Sequence, residues 1–123
     1  MDDHPGKDPR ELLAEVTLHL ISTYGLLVKA LAGLPIPIEL PSLLDGWHTE
    51  EIDDSLIRAY YLVAEIPLGS RKRETLRGML LDWIAAADCL LDAQEAPALW
   101  KLDFCVTQLV RIRSRWVTYK AIE

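Results

Sequence analysis

Several things are scarce in this sequence. Among 123 residues there are two cysteines, two methionines, one phenylalanine and three histidines. Two cysteines are too few for the disulfide framework of a small secreted domain, so the fold has to be held by its apolar core. The histidines (His4, His19 and His48) are isolated. Glu15 and His19 share a helix edge, but no second pair at helical spacing completes a metal site. No glycine-rich phosphate loop, nucleophile elbow or zinc-ligand set occurs, so the sequence implies no cofactor and carries no catalytic signature. The apolar runs are short and interrupted, which predicts no membrane span. Met1-Asp2-Asp3-His4 is acidic where a signal peptide is basic, and a cytoplasmic location is expected. Thirteen basic residues against nineteen acidic ones give a net charge of −6, which disfavours a general nucleic-acid binder unless the charges are segregated.

What remains is half apolar, with helical periodicity and no strand alternation. The expectation is a single all-α domain over residues 8–123, preceded by a flexible acidic tail at 1–7. Its form is a four-helix bundle with a long proline-rich crossover between helices one and two, and an antiparallel hairpin of helices three and four. Asp8-Pro9-Arg10-Glu11 is a helix start, with an acidic cap, proline at the first position and Glu at the third. The first helix runs to about Leu31 with Leu13, Val16, Leu20, Tyr24 and Leu27 on one face, and Gly33 stops it. Pro35, Pro37 and Pro41 force an extended strap up to a turn at Ser42–Asp45. Thr49 caps the second helix, which buries Ile52, Leu56, Ala59/Tyr60, Val63 and Ile66 and stops at Pro67. Ser70 caps the third, with Leu76, Leu80, Trp83, Ala87, Leu90 and Leu91 facing inward to about Gln94. The fourth extends from Pro97 to Lys120.

Only Glu95-Ala96-Pro97 joins the last two helices, so they pair antiparallel, with Gly78, Asp82, Ala85/Ala86 and Cys89 opposite Trp116, Ile112, Leu109 and Cys105. The two cysteines read as buried thiols. Arg71, Lys72, Arg73 and Arg77 then gather with Arg111, Arg113, Arg115 and Lys120 as a basic pole. Acids such as Asp53, Asp54 and Asp88 gather at the other end, with Asp53-Asp54 facing outward. Three cations in the first turn of helix three oppose its dipole and call for a nearby anion: solvent counter-ions, the acidic tail, an acidic partner or a phosphate.

The last helix has two faces of note. Its core arc is Leu99, Leu102, Cys105, Val106, Leu109, Val110, Ile112, Trp116 and Val117. Arg113 lies in the middle of that arc and calls either for a buried pair, with Asp82 or Glu74 as its acid, or for a side chain that snorkels out at the helix end, the pair being the expected arrangement. The opposite side carries Trp100 and Phe104, then Gln108, Arg111 and Arg115, an aromatic and arginine stripe of the kind that dominates protein interfaces. It is either a contact face or the seat of the crossover, anchored by Trp47-His48. The function expected is a small non-enzymatic interaction module (adaptor, inhibitor or assembly subunit) binding another protein or a second copy of itself. The alternatives are a nucleic-acid-associated protein that uses the basic pole, and a ligand-binding or enzymatic bundle with a pocket near Tyr24, Tyr60 and Trp83.

Overall fold

The computed structural model describes residues 8–43, 46 and 48–122. It is an all-α four-helix bundle, with α1 Pro9–Ala32, α2 Thr49–Val63, α3 Ser70–Glu95 and α4 Leu99–Ala121. The side chain of Asp8 accepts a hydrogen bond from the Arg10 amide at 3.0 Å, closing the α1 N-terminus as the capping pattern requires. At the next two starts the cap shifts by one residue. His48 and Gly69 hold the cap positions, Thr49 and Ser70 are the first helical residues, and no side-chain cap bond forms at either.

The central element is α3. It packs most closely on α4 and also touches α1 and α2, whereas α1 and α2 share no close backbone contact among the described residues. The strap lies beside that gap. Leu34 and Leu40 are buried, Ile38 and Leu43 pack on the core, and the Ile38 amide bonds back to the Leu31 carbonyl at 3.1 Å. Tyr24 fastens the strap by donating its hydroxyl to the Pro41 carbonyl at 2.7 Å. The same ring leans on Trp83 at 5.2 Å between centroids, and Trp83 donates its indole N–H to the Leu20 carbonyl at 3.0 Å. A fully buried indole needs such a partner. Trp83 is thus held in the core, Tyr24 also borders the groove between α1 and the strap, and Tyr60 lies under the Arg77 guanidinium, 4.0 Å from its centre.

Leu20 sits against Trp83 while Thr17 lies beside Ala87, Leu90 and Gln94, so α1 runs antiparallel to α3. It therefore begins at the end away from Arg71–Arg73, next to the acidic cluster. Asp8 and Glu11 are thus remote from the basic residues for which the acidic tail was one of the candidate anions, and residues 1–7 lie outside the described part. By length and composition Arg10–Ala32 is a helix apolar enough to cross a membrane, a property shared by core helices of water-soluble proteins and missed when only unbroken apolar runs are considered.

The anion sought at the start of α3 is the preceding helix. Arg73 donates to the carbonyls of Ile66 at 2.8 Å, Leu68 at 3.1 Å and Val63 at 3.4 Å, capping the partial negative charge at the end of α2. Lys72 stands 4.9 Å over the Tyr119 ring and Lys120 lies 5.4 Å from that of Trp116. Among the residues of the basic pole, Lys72, Arg73, Arg77 and Lys120 thus meet a carbonyl or an aromatic face of their own chain, and Arg71 points to solvent. Arg73→Ala is accordingly expected to cost about 2 kcal/mol, and Arg71→Ala less than about 0.5 kcal/mol. Urea unfolding of both variants checks this, and equal effects would contradict it.

Candidate protein-contact site

The α3–α4 hairpin builds the candidate site, and small residues let the two helices approach. Cys89 points its thiol at the Lys101 carbonyl (3.2 Å) and Cys105 at the Ala86 carbonyl (3.5 Å). Both thiols are free, with Cys105 buried and Cys89 half-buried. Burial and a hydrogen bond to Cys89 push the Cys105 thiol up to about 12, which makes it a poor nucleophile at neutral pH.

Gly78 serves a more specific purpose. A Cβ there would stand 2.5 Å from Nη1 and 2.7 Å from Cζ of Arg115, so the guanidinium lies flat in the notch that glycine leaves. From it Arg115 donates Nε–H to Asp82 Oδ2 at 2.9 Å, and Arg111 approaches the same oxygen at 3.9 Å. Asp82 is buried, and a buried carboxylate requires this pairing. The pair anticipated for the carboxylate is therefore corrected. Arg113 is exposed and reaches across to α1, where its Nη2 is 3.4 Å from the Ser22 hydroxyl, while Arg115 and Arg111 take Asp82. The reason is rotation. The buried arc of α4 is Leu102, Cys105, Gln108, Leu109, Ile112 and Tyr119, turned away from the widest apolar arc, which leaves Val110 59% and Val117 64% exposed.

That rotation also divides the aromatic and arginine stripe. Gln108 is buried rather than outward, and Arg115 is only about one-third exposed and engaged with Asp82. Trp100 is 68% and Phe104 43% exposed, and the Arg111 side chain is about half exposed. The strap borders α1 and α2, with Ile36–Glu39 facing Arg58 and Leu62 on one side and Pro37–Leu43 facing Ile21 and Val28 on the other. It does not lie over Trp100 and Phe104. Trp47, the other half of the expected anchor, is outside the described residues. Sequence reasoning missed a second exposed apolar set on α1, comprising Leu18, Ile21 and Val28, although its spacing is visible once the buried face is known.

At the opposite pole Asp53 is turned inward rather than outward. It faces Asp88 across α2 and α3, and its Oδ1 is buried without a partner. Burial, then repulsion from Asp88 and Asp54, raises its carboxyl above the usual carboxylate range. Among the described residues no three His, Cys, Asp or Glu side chains are grouped as metal ligands would be. No family model, curated protein or solved structure matches this chain.

Two expected outcomes follow from the two charge clusters. Gly78→Ala gains helix propensity but evicts Arg115. It is therefore neutral or destabilising in the parent, yet stabilising by up to about 1 kcal/mol once Arg115→Ala has emptied the notch. A change of sign between the two backgrounds in chemical denaturation checks this. For Asp53 the folded-state value is raised, so its contribution to stability is intact at acid pH and is lost as pH rises from the normal carboxylate range through the raised value. Asp53→Asn should remove that decline and be no less stable than the parent at neutral pH. Unfolding midpoints measured from acid to neutral pH test it.

Proposed function

We propose that this chain is a small non-enzymatic interaction module, an adaptor, inhibitor or assembly subunit, that receives a protein partner on the outer face of α4. The observation that carries this reading is the placement of Trp100 and Phe104, one helical turn apart and turned to solvent. An exposed aromatic of this size forgoes on the order of 2 kcal/mol of burial, and a pair of them with a nearby arginine is the composition of a binding hot spot. Arg111 stands on the same face, half exposed and loosely paired with Asp82, and supplies a charge that an acidic partner can engage. Arg115, held in the Gly78 notch, steadies Asp82 beneath it.

The nucleic-acid reading rests on the basic pole. It is weakened by the intramolecular engagement of Arg73, Arg77, Lys72 and Lys120. The pocket reading is weakened by the full burial of Trp83 and by the Arg77 guanidinium that covers Tyr60.

Tagged parent chain and the Trp100→Ala/Phe104→Ala variant are isolated side by side from native extract, with and without nuclease. The expected result is a stoichiometric protein that survives nuclease and is retained by the parent but lost from the variant, whose unfolding free energy changes by less than about 0.5 kcal/mol. Material released by nuclease, or a variant that binds as the parent does, contradicts the proposal.

A further inference from the structure

The bundle leaves one face of α1 unused. Its inner side buries Val16, Leu20, Leu27 and Leu31. On the far side Ala14, Leu18, Ile21, Gly25, Val28 and Ala32 are all exposed, Leu18 to 68%. They succeed one another at steps of four, three, four, three and four residues. Steps of four and three in alternation keep all six on one narrow strip, a face that a second helix can lie along. The strip is about 27 Å long. From Ile21 onward it forms one wall of an open groove of about 580 Å3, and the strap from Pro37 to Leu43 forms the other wall.

We infer that this strip docks a second copy of the chain, helix against helix and antiparallel, about a two-fold axis near Ser22. Size and charge both select that occupant. Antiparallel pairing sets Ile21 over Gly25 of the second copy, Leu18 over its Val28 and Ala14 over its Ala32. Ile21 thus meets the space left by Gly25 on either side of the axis, Leu18 and Val28 meet as an apolar pair, and the alanines meet at the ends. The hole is real, because nothing lies within 4 Å of where a Cβ of Gly25 would be. The exposed flank of the strip carries Glu15, Ser22 and Lys29 at seven-residue steps. Antiparallel pairing brings Glu15 to Lys29 of the second copy twice over and Ser22 to its own mate, whereas parallel pairing leaves these flanks on opposite edges of the seam, where they form no such pairs. Glu15 also interacts within its own chain, so the intermolecular pair is a further use of that carboxylate. The contact is self-complementary, as a two-fold interface must be, and the seam faces away from the core of its own bundle, so the two bundles lie on opposite sides of it. None of these residues belongs to the α4 face, and the inference stands independently of the reading given to that face.

Sedimentation equilibrium of the full chain across the micromolar range tests it, with vesicle flotation as a companion measurement. The parent is expected to dimerise. Gly25→Leu fills the hole and raises the dimer dissociation constant by about tenfold or more. At dilutions where both proteins are monomeric, the same substitution leaves the melting temperature unchanged or raised, because glycine is a poor helix former. Glu15→Lys and Lys29→Glu each weaken the dimer, and the two together restore it. A parent monomeric throughout, or a dimer indifferent to Gly25→Leu, overturns the inference. So does a dimer lost only with Trp100→Ala/Phe104→Ala, which moves the contact to α4. A monomer that floats with phosphatidylcholine vesicles overturns it in favour of lipid.

Discussion

The structure depends on the close approach of α3 and α4. Those helices can touch only because α3 presents Gly78, Ala86 and Cys89 where α4 presents bulk or a thiol. From that contact follow the burial of Asp82, the notch that holds Arg115 and the orientation of everything else on α4. Once α4 is fixed on one flank of α3, α2 takes another and α1 closes the group, with Trp83 at the junction bonded to Leu20 and leaning on Tyr24. The proline-rich strap then has one place to lie, along the side where α1 and α2 fail to meet.

The charges follow from the same geometry. A chain with net charge −6 and a cluster of cations at one end resembles a molecule prepared for a polyanion. Most of those cations instead finish internal work: Arg73 caps α2, Arg77 covers Tyr60, and Lys72 and Lys120 face Tyr119 and Trp116. At the other pole the Asp53 carboxyl is partly buried and faces Asp88, an arrangement that weakens the fold once both are ionised. The helix dipole and the aromatic faces therefore absorb a charge pattern that, viewed as formal charges alone, points outward.

The inner faces of α1, α2 and α3 were legible in the sequence because each repeats large apolar residues at spacings of three and four. Val16, Leu20 and Leu27, Ile52 and Leu56, and Leu76, Leu80 and Trp83 could face only inward, and they do. The start of α1 was legible from Asp8 and Pro9, since capping is local chemistry. Helix four was only partly legible. Its apolar residues span more of the circumference than its neighbours can cover, so periodicity cannot say which part is buried. The packing of α1 and α3 decides this in favour of Gln108 and against Val110 and Val117. The partner of Asp82 was illegible for a related reason: whether Arg113 or Arg115 reaches it depends on a rotation of α4 and on the notch at Gly78, a tertiary coincidence with no local signal. The outer strip of α1 went unread because a helix with one good core stripe gives no reason to look for a second.

Two apolar faces remain after the core is complete, one on α1 at Leu18, Ile21 and Val28 and one on α4 at Trp100 and Phe104. That Trp100 and Phe104 form a partner-contact face is tested most directly by hydroxyl-radical footprinting of the chain, alone and within native extract. The account predicts that both side chains oxidise readily in the isolated chain and are shielded in extract, while exposed Tyr61 on α2 is modified equally in both. Equal oxidation of Trp100 and Phe104 in both settings would contradict it, as would their protection in the isolated monomer.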